Sequence, residues 1–523
     1  MSLSVKQKPD VRNERRSATL EKRGMKLQEL LAGTELRQIS GPSDIEIQSV
    51  AYDSRKVTSG ALFFALRGEK LEGVKFVEDA LNRGAVAVAS ATARPAEFPA
   101  RAAWVELLPG SERRGLARGA ANFYGHPADA LKLVGVTGTN GKTTTAFLVD
   151  SILRAAGYTT GLIGTTGYRT PKGLRPAPNT TPESLDLQQM FAEIRDAGGT
   201  HAALEVSSHA LAMERLWGCH FAVAIFTNLT RDHLDYHKTF EEYFAAKRRL
   251  FEGTGAGAPD AAVINADDPY SAQLAGLARR TMTYGLKGGC DLTAKKFSLS
   301  FDGLEFTAHT PAGEINVHSP LVGRINVYNI LGAIGAGIAL DIPAAKIEEG
   351  IASLDLVPGR FQRIDEGQPF LVVVDYAHTD DALRNLIATA RELSPSGRII
   401  TVFGAGGERD RTKRPLMGEA AGSLSDLVVL TSDNPRSEDP LRIINDVVVG
   451  LQKADAKYRI EPDRERALAL AVDEARPGDI VLLAGKGHET SQVLRDGTIE
   501  FDDREKARAI LRRKGFSKTP AAR

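Results

Sequence analysis

Gly138, Gly141, Lys142 and Thr143 have the residue types and the spacing to handle a phosphate. They lie in Val134-Gly-Val-Thr-Gly-Thr-Asn-Gly-Lys-Thr-Thr-Thr145, together with Thr139, Asn140 and Thr144. The apolar run Leu131 to Val136 reads as a buried strand, and Lys142 to Ala156 carries a helical pattern. Strand, glycine turn and helix in that order aim backbone N–H groups and the positive end of a helix dipole at one anion. In such a cradle Lys142 reaches the terminal phosphates and Thr143 offers its hydroxyl to Mg²⁺. The strict pattern G-x4-G-K-[ST] is not met, because Val136 stands at its first glycine and glycines fall at 135, 138 and 141. A tight loop that binds nothing is the bland alternative, and Lys-Thr-Thr at the helix start speaks against it. The loop predicts ATP or GTP binding without naming a reaction.

Two further polar clusters follow apolar runs. Glu205-Val-Ser-Ser-His-Ala-Leu211 comes after His201 to Val206, and Thr227-Asn-Leu-Thr-Arg-Asp-His-Leu-Asp-Tyr-His237 after Phe221 to Thr227. A single Glu or His at a strand end is more often structural than a ligand, but several beside a phosphate loop favour a metal–nucleotide site. Mg²⁺ prefers oxygen, so Glu205 and Thr143 are the natural ligands. His233 is an atypical one, suited to a second and more weakly held ion. Asp232, Asp235 and His237 are assigned to turns and helix capping.

The elements that must position these groups read as an α/β chain. A length of 523 residues predicts three domains. Lys plus Arg (67) nearly cancels Asp plus Glu (66), which leaves no bulk charge for nucleic acid or a membrane surface. No apolar run reaches the ~18 residues of a spanning helix. Cys219 and Cys290 cannot build a disulfide framework, which fits a reducing cytoplasm. Residues 1–24 are polar and basic but interrupted by Asp10, Glu14 and Glu21, and read as a flexible tail rather than an export signal, an organellar address being the alternative. Residues 25–130 form a small N-terminal α/β domain, with strand candidates Ile45 to Val50, Ala61 to Leu66 and Ala85 to Ala89 and the loop Arg67-Gly-Glu-Lys70. Residues 131–358 form a central phosphate-loop domain on a mostly parallel sheet, adding the candidate Ala261 to Asn265. Pro358-Gly359 is a hinge, and 359–523 form a Rossmann-like domain. Its strand candidates Phe370 to Asp375, Arg398 to Phe403, Leu427 to Ser432 and Ile480 to Ala484 are apolar on both faces.

Gly138 to Thr144, Asn179-Thr-Thr-Pro-Glu183, Glu205-Val-Ser-Ser-His209, Asp232-His-Leu-Asp235, Ala245-Ala-Lys247, Gly323-Arg-Ile-Asn-Val-Tyr-Asn329 and Asp375-Tyr-Ala-His378 together resemble the Mur ligases, which build the peptide of bacterial cell-wall precursors. The likeness runs in order from about Ser54 to Glu489. It implies an amide-forming ligase that spends ATP on the γ-carboxylate of UDP-N-acetylmuramoyl-L-alanyl-D-glutamate, through an acyl phosphate that an incoming amine attacks. It assigns the γ-phosphate to the loop around Lys142, and Mg²⁺ to Thr143, Glu205, His233 and Lys247. It also makes Lys247 a carbamate, formed from CO₂. The residues alone favour a surface lysine there, on a helix Phe240 to Phe251 beside Arg248 and Arg249, and only the resemblance reverses that. Asn326 and Asn329, three apart on a helix, are implied to face adenine; otherwise they are buried helix-cap residues. Arg360 is implied to meet the phosphates and Asp375 the ribose. Asp380 departs from the family at a position where proline is common, which is expected to change only the turn. Ser54 is implied to hold the uridine diphosphate, and Asn179, Thr180, Thr181, Ser207 and Arg215 the dipeptide. Met213 departs too, standing where some relatives have glutamine.

Asp433-Asn-Pro-Arg436 follows a strand candidate and precedes a helix, the place for a substrate loop. The resemblance offers meso-diaminopimelate or L-lysine as the residue added. A guanidinium grips a carboxylate through two parallel charge-assisted bonds and opposes an ammonium. Arg436 is therefore expected to favour diaminopimelate, in keeping with the Asp-Asn-Pro-Arg of the diaminopimelate-adding members it resembles. The bland reading of Arg436 is a helix-start arginine pairing with Glu438. The resemblance places Arg409, Gly485 and Glu489 on the same amino acid, with Asp433, Asn434 and Pro435. It implies a cytoplasmic monomer without nucleic-acid or membrane partners. The alternatives are an L-lysine-adding ligase, a ligase acting on folate or cyanophycin, and a nucleotide-binding relative that does not ligate.

Overall fold

Runs such as Ala261–Asn265 and Ile480–Ala484 are buried on both faces, and only a sheet covered by helices on each side can bury them so. The computed structural model describes residues 24–68 and 72–517. The expected 1–24 tail, apart from Gly24, and Glu69-Lys70 lie outside the described residues. The chain divides into two compact units, one ending at His126 and one beginning at Pro127.

In the first unit a five-stranded sheet runs in the order Leu36–Ser40, Ala103–Leu107, Ala85–Ser90, Ala61–Phe64, Ser49–Ala51. All its pairings are parallel except that of Leu36–Ser40 with Ala103–Leu107. Phe63, Val88 and Trp104 fill its core. The expected strand Ile45 to Val50 is instead two short ones, because its ends have different partners: Glu46–Ile47 pairs with Met25–Lys26, and Ser49–Ala51 with the strand at Ala61.

The second unit holds two large sheets. The eight-stranded one runs 173–175, 167–170, 160–164, 201–205, 132–137, 221–226, 261–265, 280–284. Its two first-named strands are antiparallel additions and the other pairings are parallel. The six-stranded sheet runs 362–364, 371–375, 480–484, 399–403, 427–430, 458–460, antiparallel only at its first pair. Strand 480–484, the last of the six in sequence, inserts between 371–375 and 399–403, and this reversal of order opens a crevice at the carboxyl ends of the strands.

The α/β architecture with mostly parallel sheets agrees with the sequence expectation. An antiparallel sheet of Thr293–Ser300, Gly303–Thr310 and Gly313–Ser319 was not anticipated. It covers its apolar face by alternation, with Leu304, Phe306, Ala308, Ile315 and Val317 buried in the core of the larger sheet. No helix among the described residues is long and apolar enough to cross a membrane.

Candidate active site

Strand Lys132–Thr137 hands over to the helix Lys142–Ala155 through a loop that only glycine can form at two positions. Gly138 has φ 148°, and a Cβ there would lie 1.9 Å from Thr227 Oγ1; Gly141 has φ 88°, and its Cβ would lie 2.4 Å from Asn329 Oδ1. No side chain caps the helix that follows, so its first N–H groups are left for an anion. Lys142 Nζ turns back onto the carbonyls of Gly138 (3.0 Å) and Thr139 (2.8 Å). Burial foremost lowers its pKa from the ordinary lysine value, against the pull of Glu205 and Asp232.

Glu205 closes strand His201–Glu205 and is 1 % exposed. Its carboxylate accepts from Thr143 Oγ1 at 2.9 Å, Thr165 N at 2.8 Å and Thr165 Oγ1 at 3.0 Å. His233, with φ 54°, and Lys247 line the same cavity as Glu205 and Thr143. Burial pushes the His233 imidazole down to about 3, so the ring is neutral at physiological pH. Lys247 is 1 % exposed, donates to Gly138 O at 2.7 Å and sits 4.4 Å from the centre of the Tyr243 ring. Burial first, and Lys142 second, push its amine well below the ordinary lysine value. The surface lysine that the residues alone suggested is therefore not what the fold builds.

Among the described residues no three His, Cys, Asp or Glu side chains come close enough to hold a metal by themselves. The donors present do suit Mg²⁺: one carboxylate and one hydroxyl beside a phosphate cradle, with room for oxygens from elsewhere.

Asp232, assigned from sequence to capping, belongs to this cavity. It accepts from His233 N at 2.9 Å, and its oxygens lie 3.3 Å from His233 Nε2, 3.7 Å from Lys413 Nζ and 3.9 Å from His378 Nε2. Burial opposes its charge, yet His233, Lys413 and His378 hold its carboxyl below the ordinary carboxylate range. Lys413 and His378 were also missed as site neighbours; Lys413 opens the helix Lys413–Leu424, and His378 follows the strand Leu371–Asp375 of the other sheet. Their spatial approach leaves no mark in local sequence. His237, assigned from sequence to turns and helix capping, ends the helix Leu234–His237 and lies 2.9 Å from Ser208 Oγ through Nε2.

The second large sheet closes on the phosphate loop through named contacts. Arg360 Nη2 donates to Thr143 Oγ1 at 3.0 Å, and Asn140 Nδ2 donates to Asp381 Oδ2 at 2.7 Å. Asp375 accepts from Phe361 N at 2.7 Å and Ala377 N at 2.8 Å, and burial raises its pKa. Asn326 and Asn329 share one face as expected, and Asn329 Nδ2 donates to Asn326 Oδ1 at 2.8 Å on the cavity wall. Beside the Asp380 departure, helix Asp380–Leu393 starts normally, with Thr379 Oγ1 capping Ala382 N at 3.2 Å.

Of the residues expected to hold a dipeptide, Thr180 and Ser207 line this cavity. Thr181 Oγ1 accepts from Ser207 N at 3.0 Å, and Arg215 Nη1 donates to Thr181 O at 2.8 Å, so these residues form one cluster. The Asn179 carbonyl accepts from Tyr168 Oη. Met213 packs its sulfur 3.5 Å from Arg215 Nη2. Ser54 lies in the first unit, where it opens a 3₁₀ turn and helps hold the Asp79 carboxyl below its ordinary value by a hydrogen bond.

The residues expected at diaminopimelate also cluster. Asn434 Nδ2 donates to Glu489 Oε2 at 2.9 Å, and a Cβ on Gly485 would lie 2.7 Å from Asp433 Oδ2. Lys486, not anticipated, is fully buried and donates to the same Glu489 oxygen at 2.9 Å. The Pro435 carbonyl lies against Gly407, and Gly407 N donates to Asn434 O at 2.9 Å. Arg436 adopts φ 55° and donates from Nη1 to Gly407 O at 2.7 Å. Burial, and then the neighbouring Arg409, lower its pKa. Glu438 is taken by Arg414 and Arg411, so the Arg436–Glu438 pair of the bland reading does not form.

Fold and site together define a nucleotide-phosphate-handling α/β protein whose two large sheets meet over a glycine loop. Comparison with known proteins gives its family. Models described as the Mur ligase family catalytic domain, the Mur ligase middle domain and the Mur ligase glutamate ligase domain match residues 46–146, 136–337 and 359–487. A UDP-N-acetylmuramoyl-L-alanyl-D-glutamate--2,6-diaminopimelate ligase of Solibacter usitatus is 54% identical over 95% of this chain and 100% of its own length. One from Geobacter metallireducens is 45% identical over 93% and 98%. A solved structure of a ligase with this name, 34% identical, superposes with a TM-score of 0.64 over 94% of this chain and 99% of that one. The chain belongs to the Mur ligase family.

Proposed function

We propose that this chain joins meso-diaminopimelate to UDP-N-acetylmuramoyl-L-alanyl-D-glutamate at the expense of ATP, in the cytoplasmic stage of peptidoglycan synthesis. The observation that carries the choice of amino acid is Arg436: it is held in a left-handed conformation at a loop edge, with its guanidinium beside Arg409 rather than on Glu438. Two cations there suit an acceptor with a carboxylate at the far end of its side chain and oppose one with an ammonium.

In the first step a γ-carboxylate oxygen of the D-glutamyl end bonds to the γ-phosphorus, the bond to the ADP oxygen breaks, and an acyl phosphate results. In the second step the amine nitrogen attacks the acyl carbon, phosphate leaves from the tetrahedral intermediate, and the nitrogen loses a proton. The chain's part is to position three partners and oppose negative charge. Lys142 trades its two loop carbonyls for phosphate oxygens, and the uncapped helix start receives the same anion. Arg360 adds a second cation at Thr143. Thr143, Glu205, His233 and a carbamate on Lys247 would hold Mg²⁺, which neutralises phosphate charge when bound. The carbamate forms when the neutral Lys247 amine bonds to CO₂ carbon and releases a proton, and the depressed pKa of that amine supports this reading. Asn326 and Asn329 are read as the adenine side of the cavity, Asp375 as the ribose side, and Thr180, Thr181, Ser207 and Arg215 as the dipeptide side. Ser54 takes the uridine diphosphate in this reading, and the protein acts as a monomer.

The test is phosphate release measured with each substrate omitted in turn. Release that needs both the UDP-dipeptide and diaminopimelate is expected. Release with ATP alone would overturn the ligase reading, and equal rates with L-lysine would overturn the specificity.

A further inference from the structure

Arg464 and Asp503 are both fully buried and lie on none of the loops assigned to substrate. Arg464 opens the helix Arg464–Glu474, and Asp503 opens the helix Asp503–Arg513. The pair is bidentate: Arg464 Nε donates to Asp503 Oδ1 at 2.8 Å and Nη2 to Oδ2 at 2.7 Å. Two of the guanidinium's three remaining N–H groups go to backbone carbonyls, Ala484 O at 2.9 Å from Nη2 and Ser432 O at 3.3 Å from Nη1.

Those two carbonyls have a common meaning. Ser432 is bonded to Asp433 and Ala484 to Gly485, so each is the last residue before one of the loops that meet at Asn434 and Glu489. The strands that deliver them, Leu427–Leu430 and Ile480–Ala484, are not neighbours in the sheet, because Ile399–Phe403 runs between them. No ladder hydrogen bond therefore sets the spacing of one loop against the other at this point. Burying an ion pair gains little over well-packed apolar side chains of the same volume. An apolar pair would fill this space but could not donate to both strand ends.

We propose that Arg464, oriented by Asp503, is a positioning residue for amino-acid specificity: it fixes the relative placement of the 433–436 and 485–489 loops, and so of Arg436, Asn434 and Glu489. This rests on the reading of those loops as the diaminopimelate site.

The experiment measures steady-state KM for diaminopimelate, ATP and UDP-dipeptide, kcat and Tm for Arg464→Lys and Asp503→Asn in the full-length enzyme, with Arg436→Ala alongside. Lysine keeps the charge but loses the planar fork, and asparagine keeps the shape but loses the anion that aims it. The KM for diaminopimelate is expected to rise between about tenfold and a hundredfold in each, with the other two KM values within about twofold. The preference over L-lysine falls in parallel. A fall in Tm with all three KM values unchanged would reduce Arg464 to a strut of the fold, and a uniform rise in all three would equally overturn the proposal. If one variant does not fold, the other decides. If Arg436→Ala leaves the KM for diaminopimelate unchanged, the reading of the loops fails, independently of what Arg464 does.

Discussion

Arg360 Nη2 rests 3.0 Å from Thr143 Oγ1, a contact between residues 217 positions apart. Arg360 follows the Pro358-Gly359 turn that leads out of the phosphate-loop region, while Thr143 is the second residue of the phosphate-loop helix. The hydroxyl accepts from the arginine and donates to Glu205, so a cation, a hydroxyl and an anion stand in line where phosphate and metal charge would meet. The arginine is further held by the Tyr376 ring, whose centre is 4.5 Å away.

From this line, Arg360→Ala is expected to lower kcat by about a hundredfold to a thousandfold, the loss typical of removing one aimed donor from a reacting phosphoryl or acyl group. Arg360 is only half-buried, so the thermal midpoint should move by no more than about 2 °C. Single-turnover formation of acyl phosphate, followed by isotope exchange, separates this from a folding defect. A variant that turns over normally would remove Arg360 from the phosphate site.

Lys247→Ala is expected to lose at least about a hundredfold in kcat, because both the anion it would carry and its hold on Gly138 O disappear. Added short-chain carboxylate should restore part of the activity by entering the space of the missing carbamate. Undiminished activity without rescue would end the carbamate assignment.

What the sequence made legible was whatever repeats locally. Strands buried on both faces, such as Ile480–Ala484 and Ala261–Asn265, show as apolar runs, and the phosphate loop shows as glycines around Lys142. Lys247 was harder, although a signal existed. On helix Phe240–Glu252 the buried positions include Tyr243, Phe244, Leu250 and Phe251, and a lysine at 247 falls on that stripe at i+4, i+3, i−3 and i−4. Arg248, paired with Glu252, is off it. The sheet of Thr293–Ser319 also had local marks, turns at Asp302-Gly303 and Ala312-Gly313 between alternating apolar residues. Asp232 stood in a marked polar cluster, but nothing local separated a site residue from a capping one there, and Arg464 had no mark at all. Arg464 looks like the exposed Arg466 two positions on, and only its distant partners, Asp503 at a helix start and the carbonyls of Ser432 and Ala484, distinguish it.

Acid should destabilise the fold through buried histidines. Burial pushes His201, at the start of strand His201–Glu205, down to about 4. Between its unfolded value near 6.5 and about 4, the unfolded chain binds a proton that the folded one refuses, so stability is lost as pH falls through that window. The contribution is at most about 3 kcal/mol, and less once solvent screening is counted. Urea midpoints at pH 7.5 and pH 4.5 should therefore lie closer together in His201→Gln than in the parent chain. An unchanged interval would mean that His201 titrates normally in the fold.

The last expectation concerns the backbone of Arg436. A non-glycine residue at φ 55° costs about 1 kcal/mol or more, and the strand-end loop holds it there regardless. Glycine pays no such penalty, and Arg436 shares its stretch of loop with a main-chain bond from its N–H to Val493 O at 3.0 Å that glycine can keep. Arg436→Gly should therefore leave Tm unchanged or raise it slightly, by about 1 °C for each kcal/mol of strain released in a unit of this size. On the proposed reading, the same change removes the guanidinium beside Arg409 that would grip the acceptor's far carboxylate, so the KM for diaminopimelate should rise by about tenfold to a hundredfold, as for a lost charge-assisted hydrogen bond. Affinity for ATP, whose phosphate loop follows strand Lys132–Thr137 of the eight-stranded sheet, should not change. Stability and selectivity are thus predicted to move in opposite directions at one residue, and a variant that loses both together would show that Arg436 serves the fold rather than the substrate.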